Sequence, residues 1–173
     1  MKGSIVKCLE ELVCTQFGKD KWQKSLEDAG LKKDTVFFTV SDIDDGTIMK
    51  VVGAVCNNLN ISLAHAAEAF GDYWVNNYSQ KIYHQYYSRN KTAKDFMLDM
   101  DNVHVAMTKT ISNARPPRFD YEWEDDKTLI VHYKSDRGLI DFAIGLTKGV
   151  GKFYNENLTV TKLGPDTFQT VFE

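Results

Sequence analysis

A histidine stands on the apolar face of a helix-forming stretch, Phe96-Met97-Leu98-Asp99-Met100-Asp101-Asn102-Val103-His104-Val105-Ala106-Met107-Thr108. At about 3.6 residues per turn, Met97, Met100, His104, Thr108 and Ile111 share one stripe. An imidazole left without a partner in such surroundings costs on the order of a few kcal/mol, so its partner is a backbone carbonyl, a buried carboxylate or a metal. The polarizable methionines suit a flat hydrophobic ligand and an ordinary core alike. Further along, Tyr133-Lys134-Ser135-Asp136-Arg137 leaves an alternating segment. In an extended chain residues two apart face the same way, so Tyr133, Ser135 and Arg137 present a phenol, a hydroxyl and a guanidinium to one side. Three such donors can hold a pair of carboxylates through charge-assisted hydrogen bonds, as the two propionates of a haem would require, or can end a strand in solvent.

The elements that must position these groups change character near residue 115. Before it the apolar residues recur at helical spacing: Ile5, Leu9, Leu12 and Val13 ahead of Gly18, Trp22 and Leu26 ahead of Gly30, then Ile48, Val51, Val52 and Val55. Helices are also expected from Leu63 to Phe70 behind a Ser62 cap and from about Thr92 to Ile111. After Pro116-Pro117 the period becomes two. Phe119, Tyr121 and Trp123 alternate with acidic residues, and Leu129, Val131 and Tyr133 alternate again beyond the turn Asp125-Asp126-Lys127, which predicts a hairpin. A helix from about Leu139 to Tyr154 and two strands, Leu158–Lys162 and Thr167–Phe172, complete the chain. The predicted fold class is α+β: a helical N-terminal part packed on a C-terminal four-stranded antiparallel sheet with one long helix. A single domain over 1–173 is expected, divided into a helical part of about 1–65 and a larger part of about 66–173.

Several functions are disfavoured at this level. With 21 basic and 24 acidic residues mixed along 173 positions, no basic stripe offers the phosphate neutralisation that nucleic-acid binding needs. Cys8, Cys14 and Cys56 form no metal-knuckle spacing and fit reduced thiols. No apolar signal core or membrane-length run is present, so a soluble cytoplasmic protein without a membrane partner is expected. Asp42, Asp44 and Asp45 lack calcium-loop spacing and read as a turn and helix start. No nucleophile motif or phosphate-cradling glycine loop points to an enzyme. Of the other histidines, His65, His84 and His132 read as structural or exposed, with His84, in an aromatic run, the best rival ligand.

Taken together the residues resemble the haem nitric oxide/oxygen binding family, the H-NOX domains, which also form the haem module of soluble guanylate cyclase. The resemblance rests on Met1-Lys2-Gly3 with Ile5, Ala69-Phe70-Gly71, Asp101-Asn102-Val103-His104, Arg115-Pro116-Pro117 and His132-Tyr133-Lys134-Ser135-Asp136-Arg137. The stretch from Gly145-Leu146-Thr147-Lys148-Gly149 through Phe172 matches in layout. It implies a haem b buried between the two parts, held non-covalently, since no Cys-x-x-Cys-His attachment sequence occurs. It gives His104 the place of the iron ligand, Tyr133, Ser135 and Arg137 that of the propionate clamp, and Pro117 that of a proline that bends the macrocycle; Met100 lies beside the ligand. On the opposite side it implies a pocket of Ile5, Trp74, Tyr78, Phe142 and Leu146. Phe142 stands where oxygen-holding members have a tyrosine, and phenylalanine cannot donate a hydrogen bond to bound oxygen. Expected ligands are therefore nitric oxide and carbon monoxide, with Tyr78 or Trp74 as the donor in an oxygen-binding alternative. The expected output is release of His104 and a conformational shift read by a partner, a histidine kinase or a cyclic-dinucleotide enzyme.

Overall fold

The computed structural model describes residues 1–173 and has the expected α+β class. By its internal contacts the chain forms two compact units, Met1–Ala66 and Ala67–Glu173.

The first unit is built from α1 (Gly3–Phe17), α2 (Lys19–Asp28) and α3 (Asp45–Leu59), and it includes the start of α4 (Leu63–Tyr73). The glycine that separates α1 from α2 sits at φ 90°, a conformation that side-chain-bearing residues rarely adopt. Asp44 caps α3, accepting the Thr47 N–H at 2.8 Å, so one member of the acidic cluster is a helix start. Of the set that the helical spacing selects, Leu9, Leu12, Val13, Trp22, Leu26, Ile48, Val51, Val52 and Val55 are buried, while Ile5 is half-buried and its neighbour Val6 is buried instead.

The second unit carries every sequence-derived candidate except Ile5. After α4 the backbone widens into a π-helical stretch, Trp74–Tyr78, and continues as α5 (Gln80–Ser88). Neither was expected. The polar and aromatic run Tyr83-His84-Gln85-Tyr86-Tyr87 has no clean apolar period, and a π-helical turn shifts whatever period surrounds it. The gap it opens is closed locally: Gln80 donates to the Val75 carbonyl at 2.7 Å. α6 (Ala93–Thr110) begins at a Thr92 cap whose hydroxyl accepts the Asp95 N–H. β1 (Arg118–Trp123) and β2 (Thr128–Lys134) form the expected hairpin, closed by Asp125, which accepts the N–H groups of Lys127 and Thr128 at 2.8 Å each. α7 (Ile140–Tyr154), β3 (Leu158–Lys162) and β4 (Thr167–Phe172) follow. The sheet is antiparallel throughout in the order β1-β2-β4-β3. No helix is long and apolar enough to cross a membrane.

One face of the sheet is core, with Leu129, Val131, Tyr133 and Phe168 all buried. Thr170 lies on it opposite Leu129, fully buried, and its hydroxyl has no hydrogen-bond partner. An unsatisfied buried hydroxyl costs about 1 kcal/mol or more, which a methyl of the same shape avoids. Thr170→Val is expected to stabilise the fold by about 1 kcal/mol, read as a higher denaturant midpoint at unchanged slope. A lower midpoint would show that the hydroxyl is satisfied in solution.

α7 contains three glycines, and each costs a helix interior up to ~1 kcal/mol of propensity relative to alanine. Two of them lie against α4: a Cβ on Gly149 would sit 2.7 Å from the Gly71 carbonyl oxygen, and one on Gly145 would strike the Ala67 carbonyl. Beside this seam Lys152 meets Asp72 at 2.6 Å and Lys148 meets Glu68 at 3.0 Å.

Candidate functional site

His104 lies on α6, two turns past Met97, and is partly buried. Its Nδ1 is 2.7 Å from the carbonyl oxygen of Pro117. A carbonyl only accepts, so Nδ1 carries the proton and the Nε2 lone pair is left unused. Burial lowers the pKa of the imidazole from 6.5, partly offset by the Pro117 bond and the Asp101 charge, so the ring is neutral at neutral pH. A neutral imidazole with one N–H tied back to a carbonyl and the other nitrogen free is the form that ligates iron.

The ground around the ring is aromatic. Phe119 lies 5.6 Å away, centroid to centroid, and Tyr133 lies 6.0 Å beyond Phe119, its cross-strand partner. Met100, Trp74 and Leu146 are half-buried against the same apolar cluster that contains Tyr133. Tyr133 is buried among these residues, and its phenol, which makes no hydrogen bond within the chain, is available to a bound acceptor.

The other donors are placed differently from expectation. β2 ends at Lys134, and Ser135 to Arg137 form a turn in which Ser135 Oγ accepts the Arg137 N–H at 3.3 Å. The two-residue alternation therefore stops at the strand end, and Arg137 reaches the Arg115 carbonyl, a residue of the loop that follows α6. Thr108 also departs from the stripe: it is exposed, because the last turn of α6 emerges into solvent.

A second aromatic group is arranged around α4. Phe70 meets Phe142 edge-on at 5.5 Å and stacks on Trp74 at 5.9 Å, and Trp74 stacks on Tyr78 at 5.5 Å. The π-helical stretch begins at Trp74 and ends at Tyr78. Phe142 and Leu146 are half-buried on α7, four residues apart on one face. Ile5 is half-buried in α1 of the first unit. His65 and His84 are exposed, and no cluster of three or more His, Cys, Asp and Glu side chains that could hold a metal ion exists.

The site contains residues that spacing did not single out. Asp101, one turn before His104, accepts from Arg118 Nε at 2.6 Å and from the Phe119 N–H at 3.2 Å. Arg118 holds its carboxyl below the usual carboxylate range. Tyr121 donates to the Met97 carbonyl at 2.6 Å. The signal available in the sequence was the placing of Met97, Asp101 and His104 three and four residues apart, hence on one helix face.

Residues 2–162 match the model of a protein family described as Haem-NO-binding. The chain belongs to that family. H-NOX domains are a haem-based gas-sensing family related to soluble guanylate cyclase, and this chain is similar to several such cyclases. It is 28% identical over 173 residues to soluble guanylate cyclase gcy-34 of Caenorhabditis elegans, covering 95% of this chain and 25% of that protein. It is 24% identical over 162 residues to soluble guanylate cyclase 89Db of Drosophila melanogaster, covering 92% of this chain and 24% of that protein. The chain thus spans about a quarter of the length of these relatives. Among solved structures, an H-NOX protein from S. oneidensis in the Fe(II)NO ligation state superposes with a TM-score of 0.87 at 21% identity, covering 100% of this chain and 98% of that one. An oxygen-binding H-NOX domain related to soluble guanylate cyclases superposes with a TM-score of 0.82 at 24% identity, covering 100% and 95%. At these identities the likeness establishes the shared fold.

Proposed function

We propose that this H-NOX chain binds haem b through His104 and responds to nitric oxide and carbon monoxide while excluding oxygen, acting as a sensor and not as a catalyst. The observation that carries the reading is the state of His104: neutral, Nδ1–H tied to Pro117 and Nε2 free. The donor set fits the group. The Tyr133 phenol, the Ser135 hydroxyl and the Arg137 guanidinium are suited to two propionates, and Pro117 and Met100 offer apolar surface to a flat ring. Bound haem would supply the iron on which a diatomic gas binds.

What this chain's residues do follows from their chemistry. His104 would hold the iron through Nε2. Phe142 and Leu146 are the apolar residues of the gas-binding side and offer no donor to stabilise bound oxygen. Release of His104 on nitric oxide binding would let the C-terminal half of α6 move, and that movement would be the output. The haem-holding part comprises residues of about 66–173. The reader of the signal is a separate domain or protein, of the kind formed by a histidine kinase or a nucleotide cyclase or cyclic-dinucleotide enzyme.

One observation favours an oxygen-retaining alternative. The indole N–H of Trp74 has no hydrogen-bond partner in the chain and lies in the aromatic group that contains Phe142. The absorption spectrum of the reduced protein separates the readings. In air it is expected to remain that of unliganded ferrous haem and to change on adding nitric oxide or carbon monoxide. A stable oxygen complex in air would replace the exclusion of oxygen by retention, with Trp74→Phe expected to abolish it. Colourless protein that takes up no hemin would overturn haem binding altogether.

A further inference from the structure

The link between α6 and β1 has a regularity that ligation of iron by His104 does not itself require. Three groups on one face of α6 meet three successive points on the chain that runs back antiparallel to it: His104 with the Pro117 carbonyl, Asp101 with Arg118 and the Phe119 N–H, and the Met97 carbonyl with the Tyr121 phenol. The spacings are commensurate. Seven helical residues rise about 10 Å, and four extended residues span about 13 Å. Arg118 grips the Asp101 carboxylate with both Nε and a terminal nitrogen, a two-pronged geometry that fixes direction as well as distance. Tyr121 stacks on Phe119 at 6.3 Å, and burial keeps its phenol protonated, so it remains a donor.

The position of Pro117 is the consequence. Its carbonyl is the only group in the chain that bonds the imidazole, yet Pro117 belongs to the connection between α6 and β1 and to neither element. What holds that carbonyl at donor distance is the attachment of the next residues, Arg118 and Phe119, to the helix turn that precedes His104.

We propose that Arg118 and Tyr121, acting on α6 through the Asp101 carboxylate and the Met97 carbonyl, are positioning residues that hold the Pro117 carbonyl on His104 Nδ1 and so set the tautomer and donor strength of Nε2. The proposal rests on His104 being the iron ligand. A histidine whose far N–H is bonded to a carbonyl is the more basic ligand, and weakening that bond weakens its hold on a metal. The two contacts also divide α6. The part before His104 is clipped to β1 at Met97 and Asp101, so freeing His104 moves only the last two turns while both clips hold.

The test uses the full chain with Arg118→Gln, Tyr121→Phe and the double variant. Tyr121→Phe removes one hydroxyl and keeps the ring against Phe119, so it remains informative if the double variant folds poorly. In haem-free protein, at a pH where the ring is neutral, the imidazole nitrogen shifts are expected to show mainly the Nδ1–H tautomer in the wild type. The Nε2–H form should rise several-fold in the variants. In ferrous haem-loaded protein the iron–histidine stretching frequency should fall, and a larger share of the nitric oxide complex should lose its histidine. Arg118→Lys should restore part of both. A lowered melting temperature with tautomer and stretch unchanged would overturn the proposal and leave a structural clip only. Failure of the wild type to take up hemin would overturn the ligand assignment instead, and the tautomer measurement would still decide whether the clip positions His104.

Discussion

Replacing His104 by glycine is expected to abolish the spectrum of a histidine-ligated haem while leaving the fold intact, and added imidazole is expected to restore it. The magnitude follows from the chemistry. Losing a partner that merely orients a metal ligand costs ~10–100-fold in affinity, so losing the ligand itself should weaken hemin uptake by more than about 100-fold. The fold should survive, because His104 is only partly buried and its one hydrogen bond is to the Pro117 carbonyl, which water can satisfy in the cavity left behind. Exogenous imidazole can fill that cavity and offer the same two nitrogens, one to the carbonyl and one to the iron. His84→Gly is the matching control: His84 is exposed and bonded to Gln80 at 3.0 Å, so its removal should leave the spectrum unchanged. An unaltered spectrum in His104→Gly, or a spectrum lost in His84→Gly, would move the iron to another residue.

Gly71→Ala should have the largest effect on stability of any single methyl added to the second unit. A Cβ there would land on the Gly145 carbonyl group and the Leu146 nitrogen, and backbone on both sides leaves no flexible side chain to yield. Overpacking against side chains costs about 1–3 kcal/mol, and against backbone the loss should reach at least the upper end. At about 2–4 °C per kcal/mol for a chain of this size, the melting temperature should fall by roughly 10 °C. Gly53→Ala adds the same methyl at an exposed position of α3, where nothing lies within 4 Å of the new Cβ, and should stabilise by about 0.5–1 kcal/mol. Equal melting temperatures for the two variants would mean that α4 and α7 can separate freely. The seam matters for function as well, because Phe70 on α4 and Phe142 on α7 meet directly beside it.

Much of the fold was legible because its signals are local. Ser62 and Thr92 cap the helices that follow them, and the strands of both hairpins alternate as written. The π-helical stretch and α5 were not legible: the bulge breaks the period, and the run that follows mixes tyrosine with polar residues so that no face stands out. The turn at Ser135–Arg137 was misread as extended because the hydroxyl that bends it, Ser135 Oγ on the Arg137 N–H, competes with strand geometry from within the segment.

For His104 the division is sharpest. Its residue type and its place on an apolar helix face follow from the sequence alone, and they require a partner, because an unpaired imidazole is costly in such a place. They do not decide among carbonyl, carboxylate and metal, since each would come from residues or groups far along the chain or outside it. Only the return of the chain from α6 into β1 brings the Pro117 carbonyl to Nδ1, pairs Asp101 with Arg118, and leaves Nε2 unused. Periodicity along a segment reports which face is apolar. The choice of partner depends on distances between segments, and those are set by how α6 and the sheet pack.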